Sequence, residues 1–253
     1  MEIEEKIKRA AELISNSNYT VALSGAGIST ASGIPDFRSP GYGLWEKIDP
    51  MEVASIWSLK SNPRRVYEFM YSMAKTIYEA EPNPAHIALA QLEKKGLLRL
   101  VITQNIDNLH QRAGSKEVVE VHGNLREAIC LNCHKIVPME EFREKLEEKL
   151  KQKEGVPQCQ CGGLLKPNVI FFGEQLPAEA VYKARRGAED CEVMLVVGSS
   201  LVVQPVSMLP ELASRRGAKI IVINLEATYI DGRAEVVIGG KVDEILPRIV
   251  SLL

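Results

Sequence analysis

Apolar residues Ile3, Ile7, Ala10, Ala11 and Ile14 recur at a spacing that places them on one face of a helix over residues 3–17. The pattern then changes. Residues 19–24 are a short β-branched and apolar run ending in glycines, which predicts a strand. Similar runs stand at 98–103, 118–121, 169–172, 193–197, 219–223 and 236–238. Several are continuously apolar, as expected of parallel strands buried on both faces. Polar, helix-prone segments such as 178–188 and 205–216 separate them. This alternation predicts an α/β fold with a parallel sheet and ligands at the carboxyl ends of its strands.

Two segments break the alternation. Residues 40–84 have no strand-like run and several helical stretches, including 63–80. Residues 126–166 hold four of the five cysteines and a charged helix at 139–153. Both read as insertions that together form a second, smaller domain. The run EEFREKLEEKLKQKEG reads as the solvated face of that charged helix.

Composition narrows the class without naming a function. The chain has 253 residues, 45% hydrophobic and 25% charged, which are ordinary values for a soluble protein with a sizeable core. A formal charge of −2 gives no electrostatic footprint for nucleic acid, and no direct nucleic-acid binding is expected. No apolar run approaches the ~18 residues of a membrane span. The opening MEIEEKIKRAAELI is charged and mixed, unlike a signal peptide. An intracellular, cytoplasmic protein is expected, and there cysteines point to metal or packing.

Cys130 and Cys133 form a C-x-x-C pair, and Cys159 and Cys161 a C-x-C pair followed by two glycines. Two such turns can supply four thiolates to one tetrahedral zinc. Four thiolates close the shell, so the metal is expected to be structural. The shorter second spacing predicts a tighter knuckle. Buried or redox-active cysteines are the alternative, disfavoured because the C-x-x-C does not open a helix after a strand. Cys191 precedes an apolar run and reads as a packed thiol, and His134 as merely exposed.

Gly25 and Gly27 follow the first strand directly, as in a phosphate-binding strand-to-helix turn, but Thr30 stands where the third glycine of G-x-G-x-x-G belongs. An ordinary tight turn is the alternative. Gly198-Ser199-Ser200 and Asn224-Leu225-Glu226 end two further strands. Asn224 is placed to bond a ribose hydroxyl or to close a local turn. Residues 103–110, TQNIDNLH, set a dense polar group after a buried strand, in which Asp107 or Asn105 could cap a helix beginning near Leu109. His122 ends another strand beside a glycine, where a near-neutral pKa suits a general base.

Together these segments resemble the sirtuins, NAD-dependent protein-lysine deacylases. GAGISTASGIPDFRSP at 25–40, TQNIDNLHQRAG at 103–114, HGN at 122–124 and the paired cysteines carry the likeness. PNVIFFGE at 167–174, GSSLVVQP at 198–205 and INLE at 223–226 continue it in the family's order, over essentially the whole chain. The resemblance implies a Rossmann-like NAD-binding domain from residues 1–39, 85–125 and 167–253. It implies a small domain from a helical insertion, 40–84, and a zinc-binding insertion, 126–166. It also implies deacetylation of lysine in proteins or peptides with NAD as co-substrate, releasing nicotinamide and 2′-O-acetyl-ADP-ribose.

Residue roles follow from the likeness. Asp107 would accept from the nicotinamide carboxamide, with the Ile106 backbone and apolar Ala26 and Ile34 around the ring. Asn105 and Gln104 would orient the ribose and a water, and His122 would take a ribose hydroxyl proton. Arg38 and Phe37 would belong to a loop over the cofactor, with Asp36 its anchor. Gly198, Ser199, Ser200, Asn224, Leu225 and Glu226 would bind the phosphates and adenosine, with Val242 near adenine. The peptide would add as a strand to Gly173-Glu174 and Val202-Val203, and Ile170, Phe172 and Val203 would wall the acyl-lysine tunnel. Met70 and Met73 fall where desuccinylating relatives carry Tyr and Arg, which implies preference for apolar acyl groups. Protein mono-ADP-ribosyl transfer, a non-catalytic NAD or zinc interaction module, and a hydride-transferring dehydrogenase are the alternatives.

Overall fold

A computed structural model describes residues 2–37, 43–152 and 155–253. In chain order its strands are β1 (Thr20–Ser24), β2 (Leu100–Thr103), β3 (Val118–Glu120), β4 (Gly123–Cys130), β5 (Ile136–Pro138), β6 (Leu165–Val169), β7 (Val193–Val197), β8 (Lys219–Asn224) and β9 (Val236–Gly239). The chain divides into two compact units. The first comprises Met1–Asp36, Glu81–Val121 and Pro177–Leu253, and the second Phe37–Ala80 and His122–Leu176.

In the first unit six parallel strands lie in the order β3-β2-β1-β7-β8-β9. The chain winds outward from β1 to β3, then returns to build β7 on the other side of β1. That reversal is the topological switch point, where an open α/β sheet leaves a crevice at its strand ends. All residues of β1 and β7 are buried, which explains their unbroken apolar runs. Alternate residues serve opposite faces. Ala22 and Val101 join Ile7, Leu89 and Leu246 in one core. Val21, Leu100 and Ile102 point the other way, where a Cβ on Gly187 would sit 2.7 Å from the Leu100 side chain. Asn83 starts helix Pro84–Lys94: its side chain accepts from the Ala85 N–H at 2.9 Å, and Pro84 pre-sets the first turn.

The second unit is built on a three-stranded antiparallel sheet in the order β5-β4-β6. Helix Met139–Gln152 buries Met139, Phe142 and Leu146 and exposes most of its charges, as its pattern predicts. Helix Pro63–Glu79 buries Tyr67, whose hydroxyl donates to Leu165 O at 2.7 Å.

Two expectations change here. The apolar run 169–172 is not a parallel strand. Its strand is β6, paired antiparallel with β4, and it ends at Val169. Beyond it Ile170 N–H bonds to His122 O at 2.8 Å and Phe172 N–H to Ala54 O at 2.8 Å. Segment 167–176 therefore belongs to the second unit, as do residues 122–125. An apolar run does not say which sheet will take it. β4 and β5 carry no clear sequence signal. In β4 the buried positions are Gly123 and Leu125, then Ala128 and Cys130, a change of parity at a register irregularity between Gly123 and Ala128.

Candidate active site and metal centre

In the first unit the turns after β1 and β7 lock together. Gly25 N–H donates to Val197 O at 3.2 Å, and Gly27 N–H to Gly198 O at 2.9 Å. A Cβ on Gly25 would lie 2.8 Å from Gly198 O, and one on Gly27 2.9 Å from Gly198 Cα. These glycines are thus needed for backbone-to-backbone approach, and their N–H groups are committed to protein carbonyls. After them the chain makes two short 3₁₀ turns, Ala26–Ile28 and Thr30–Ser32. The missing third glycine agrees with this, since no helix packs against the sheet there.

The polar set after β2 folds onto the same turn. Asn105 Nδ2 donates to Gly25 O at 3.2 Å and to Ser29 Oγ at 3.0 Å. Ser29 Oγ donates to Asp107 Oδ2 at 2.7 Å, and Leu109 N–H donates to Asp107 Oδ1 at 2.9 Å. The N-cap of helix Leu109–Arg112 is Asn108, not Asp107 or Asn105, but Asp107 accepts from the first helical N–H, that of Leu109, and is buried beside the turn. Burial pushes its carboxyl pKa up, while the Leu109, Ser29 and Asn105 donors pull it back. Ile106 is half-buried and Ile34 buried.

Two histidines given no role by the sequence analysis stand behind it. His86 Nδ1 accepts from Asn83 N–H at 3.3 Å, so its Nε2–H faces Ser29 Oγ at 3.4 Å. His110 Nε2 lies 2.8 Å from Ser24 Oγ, and the two rings meet edge to face at 5.0 Å. Burial lowers His86 to about 4; burial, then the nearby His86, lowers His110 to about 3. Both are neutral near pH 7. Ser29 and His110 lie within the quoted motifs, but nothing in their spacing marks them, and His86 reads as an ordinary helix residue.

Gln104 Nε2 donates to the buried Ser199 Oγ at 2.9 Å, which joins the ends of β2 and β7. Ser200, Leu225 and Glu226 are exposed at the neighbouring strand ends. Asn224 Nδ2 donates to Glu226 O at 2.8 Å, so its amide nitrogen closes a local turn and its side-chain oxygen is what it can offer a ligand. Val242 opens helix Val242–Val250 with its side chain in the core. Val202 is exposed and Val203 half-buried.

In the second unit His122 is half-buried in the turn before β4. Gly123, at φ 77°, passes so close to β6 that a Cβ would lie 2.1 Å from Asn168 O. The loop after β6 is held by a pair that the sequence does not advertise. Buried Lys166 donates through Nζ to Glu174 Oε2 at 2.8 Å and to Val169 O at 2.5 Å. Phe171 N–H donates to the same Glu174 oxygen at 2.8 Å. Glu174, expected as a backbone partner for peptide, thus has its side chain committed to stapling the loop. Ile170 and Phe172 are half-buried and Phe171 is core. Gly173, at φ 87°, lies under Trp57, whose Cη2 would be 2.4 Å from a Cβ there. Phe37 stacks on Trp45 at 5.0 Å, and Trp45 meets Phe172 edge-on at 6.4 Å. Asp36 is half-buried, and Arg38 lies outside the described residues.

The four cysteines gather at one end of the small sheet. Their Sγ atoms lie within 4.8 Å of one another, with Cys130–Cys161 at 3.5 Å and Cys133–Cys159 at 3.7 Å. Tetrahedral zinc with ~2.3 Å bonds needs sulfurs about 3.8 Å apart. The donor set fits a structural zinc. The C-x-C knuckle is tight as foreseen: Cys159 N–H bonds to Gly163 O at 2.8 Å, and Gly162 takes φ 82°. A Cβ on Gly163 would come 2.7 Å from Cys130 Sγ. Cys191 is buried, with burial pushing its thiol up to about 12, and His134 is exposed.

A Rossmann-like sheet with a polar cluster at its switch point, and a zinc-knuckle sheet built from insertions, define an NAD-binding class of protein. The chain belongs to the Sir2 family, which residues 25–205 match. It is 47% identical over 251 residues to an NAD-dependent protein deacylase 2 of Archaeoglobus fulgidus, covering 98% of this chain and 96% of that one. It is also similar to a Sir2 solved with a p53 peptide and NAD+, at 41% identity and TM-score 0.88, covering 97% and 98%. A second solved Sir2, a histidine-to-alanine variant with deacetylated p53 peptide and 3′-O-acetyl ADP-ribose, matches at 42% identity and TM-score 0.91, covering 97% and 98%.

Proposed function

We propose that this protein is an NAD-dependent protein-lysine deacetylase that removes acetyl and other apolar acyl groups, with NAD as co-substrate and a structural zinc. The observation that carries this reading is the Ser29–Asn105–Asp107 cluster at the strand ends of the switch point, with Ser29 and Asp107 buried and Asn105 half-buried. The names of the relatives support the same activity. Four cysteines gathered as metal ligands, with the fifth a packed thiol, support a reducing, intracellular compartment. No helix among the described residues is long and apolar enough to cross a membrane.

The acyl-lysine carbonyl oxygen bonds to C1′ of the nicotinamide ribose, and the C1′–nitrogen bond breaks, sending nicotinamide away with the electron pair. The 2′-hydroxyl, losing its proton to His122, attacks the imidate carbon. Water then completes the release of free lysine and leaves the acetyl group on ADP-ribose. An amide oxygen is a weak nucleophile, so close positioning supplies much of the acceleration. Asn105 orients the ribose. Asp107, whose two oxygens offer about four lone-pair sites, would accept from the carboxamide NH2 as well as from its protein donors. Gln104 joins Asn105 in orienting the ribose and a water, Ser199 and Asn224 hold the phosphate and adenosine-ribose end, and Ile170 and Phe172 hold the acyl-lysine stem. The zinc supplies a cross-link that shapes the small sheet.

The test is an acetyl-lysine peptide incubated with and without NAD and followed by mass spectrometry. Wild type should produce the deacetylated peptide and O-acetyl-ADP-ribose only with NAD, and His122→Ala should lose about 10²-fold or more. A peptide gaining ADP-ribose instead, or undiminished activity in His122→Ala, would overturn the reading. A succinyl-peptide arm tests acyl preference. Met70 is buried and Met73 half-buried, and neither can neutralise a carboxylate, so succinyl should be removed at least tenfold more slowly than acetyl.

A further inference from the structure

Asn105 is held by two separate hydrogen-bond chains. One grips its side chain through Ser29 and Gly25. The other reaches its backbone. Asn105 N–H donates to Thr103 Oγ1 at 3.1 Å, and Ser24 Oγ donates to the same oxygen at 2.9 Å. Ser24 and Thr103 are paired neighbours at the ends of β1 and β2. Ser24 Oγ also lies 2.8 Å from His110 Nε2. Ser24, Thr103 and His110 are 0%, 2% and 1% exposed.

The protons in this chain can be counted. A buried N–H without an acceptor is costlier than a bare ring nitrogen, so the partnerless Nδ1 of His110 is the unprotonated one and the imidazole proton sits on Nε2. Ser24 Oγ then accepts from His110 and gives its one hydroxyl hydrogen to Thr103. His110 Nδ1 is fully buried and has no hydrogen-bond partner among the described residues. A buried polar atom without a partner calls for an explanation. For filling space alone, a leucine would serve without that orphan. What the imidazole adds is one N–H aimed at Ser24. Its T-shaped contact with His86 and its burial keep it neutral, so it donates a single, directed proton.

We propose that His110 is a positioning residue for deacylation: its Nε2–H holds the Ser24 hydroxyl on Thr103, and Thr103 in turn sets the Asn105 backbone. This rests on the role given to Asn105 above. Small misplacements of a reacting group cost large factors in rate, so the relay acts on turnover more than on peptide binding.

Four variants test it: His110→Leu, His110→Gln, the double Ser24→Ala/His110→Leu, and Asn105→Ala as reference. Each is measured for kcat, KM for the acetyl peptide, and melting temperature. His110→Leu should lower kcat at least tenfold with peptide KM within twofold. His110→Gln, which returns an N–H near the Nε2 position, should restore kcat to within threefold of wild type. The double variant removes both polar groups, so its melting temperature should recover while its kcat stays low. That split separates positioning from mere stability, and it stands even where His110→Leu alone folds poorly. Wild-type kcat in His110→Leu, equal losses in the Leu and Gln variants, or kcat recovering with melting temperature in the double would each overturn the proposal. Full activity in Asn105→Ala would instead overturn the role of Asn105 itself.

Discussion

Gly198 stands at φ 58°, in the left-handed region, and a Cβ there would lie 2.3 Å from the backbone nitrogen of Ile28. Neither problem can be relieved by a flexible side chain, because the obstacle is backbone. The residue is required where the turns after β1 and β7 meet, at the point where the strand order reverses. Gly198→Ala should therefore cost about 2 kcal/mol or more, from the left-handed strain and the clash together. It should also weaken NAD binding at least tenfold by spreading the two turns. Gly232→Ala, where a Cβ meets nothing within 4 Å and φ is not positive, is the control and should change neither. Calorimetric titration with NAD and thermal melts read both effects. Unchanged NAD affinity in Gly198→Ala would show that the interlocked turns do not shape the cofactor crevice.

At the scale of elements, the zinc knuckles tie together a sheet of three strands, two of them only three and five residues long. Such a sheet is marginal alone. The protein should contain one zinc per chain, and strong chelation should lower the melting temperature by about 10 °C, on the order of a few kcal/mol for a chain this size. Thiol titration gives a sharper reading. Native protein should react slowly, chelated protein should expose four thiols, and the buried fifth, Cys191, should react only on unfolding. Metal-free protein with an unchanged melt would remove zinc from the account. This centre was legible because four cysteines on two short turns admit few other readings. The strands it holds were less so. β4 changes parity at its irregularity, so no period-2 pattern survives over its length. Residues 169–172 are apolar for reasons of loop packing, as in the aromatic contact of Phe172 with Trp45, and not because they form a central strand. The β1 and β7 runs were legible because both faces of those strands are buried.

Across the whole molecule, motif order marked Asn105 and Asp107 after β2 but gave no role to the histidines packed behind them, because a buried histidine leaves no periodic trace. Those hidden groups govern how stability responds to pH. Most ion pairs here join exposed side chains, such as Arg64–Glu68 and Lys183–Glu179, and contribute little. His86 and His110 are buried and neutral, lowered to about 4 and about 3 from the usual 6.5. Below pH 6.5 the unfolded chain takes up protons that the folded chain refuses. Stability therefore falls as pH drops through 6.5 and keeps falling until the folded pKa values are reached. By pH 5 the loss is about 2 kcal/mol for each histidine, at ~1.4 kcal/mol per unit. Asp107, raised by burial, acts in the opposite sense and in a lower window, near and above its unfolded value of 3.8. Between pH 6.5 and 5 the melting temperature of wild type should drop by about 5–10 °C more than that of a His86→Gln/His110→Gln variant. Parallel curves for the two proteins would show that these histidines are not held neutral in the fold.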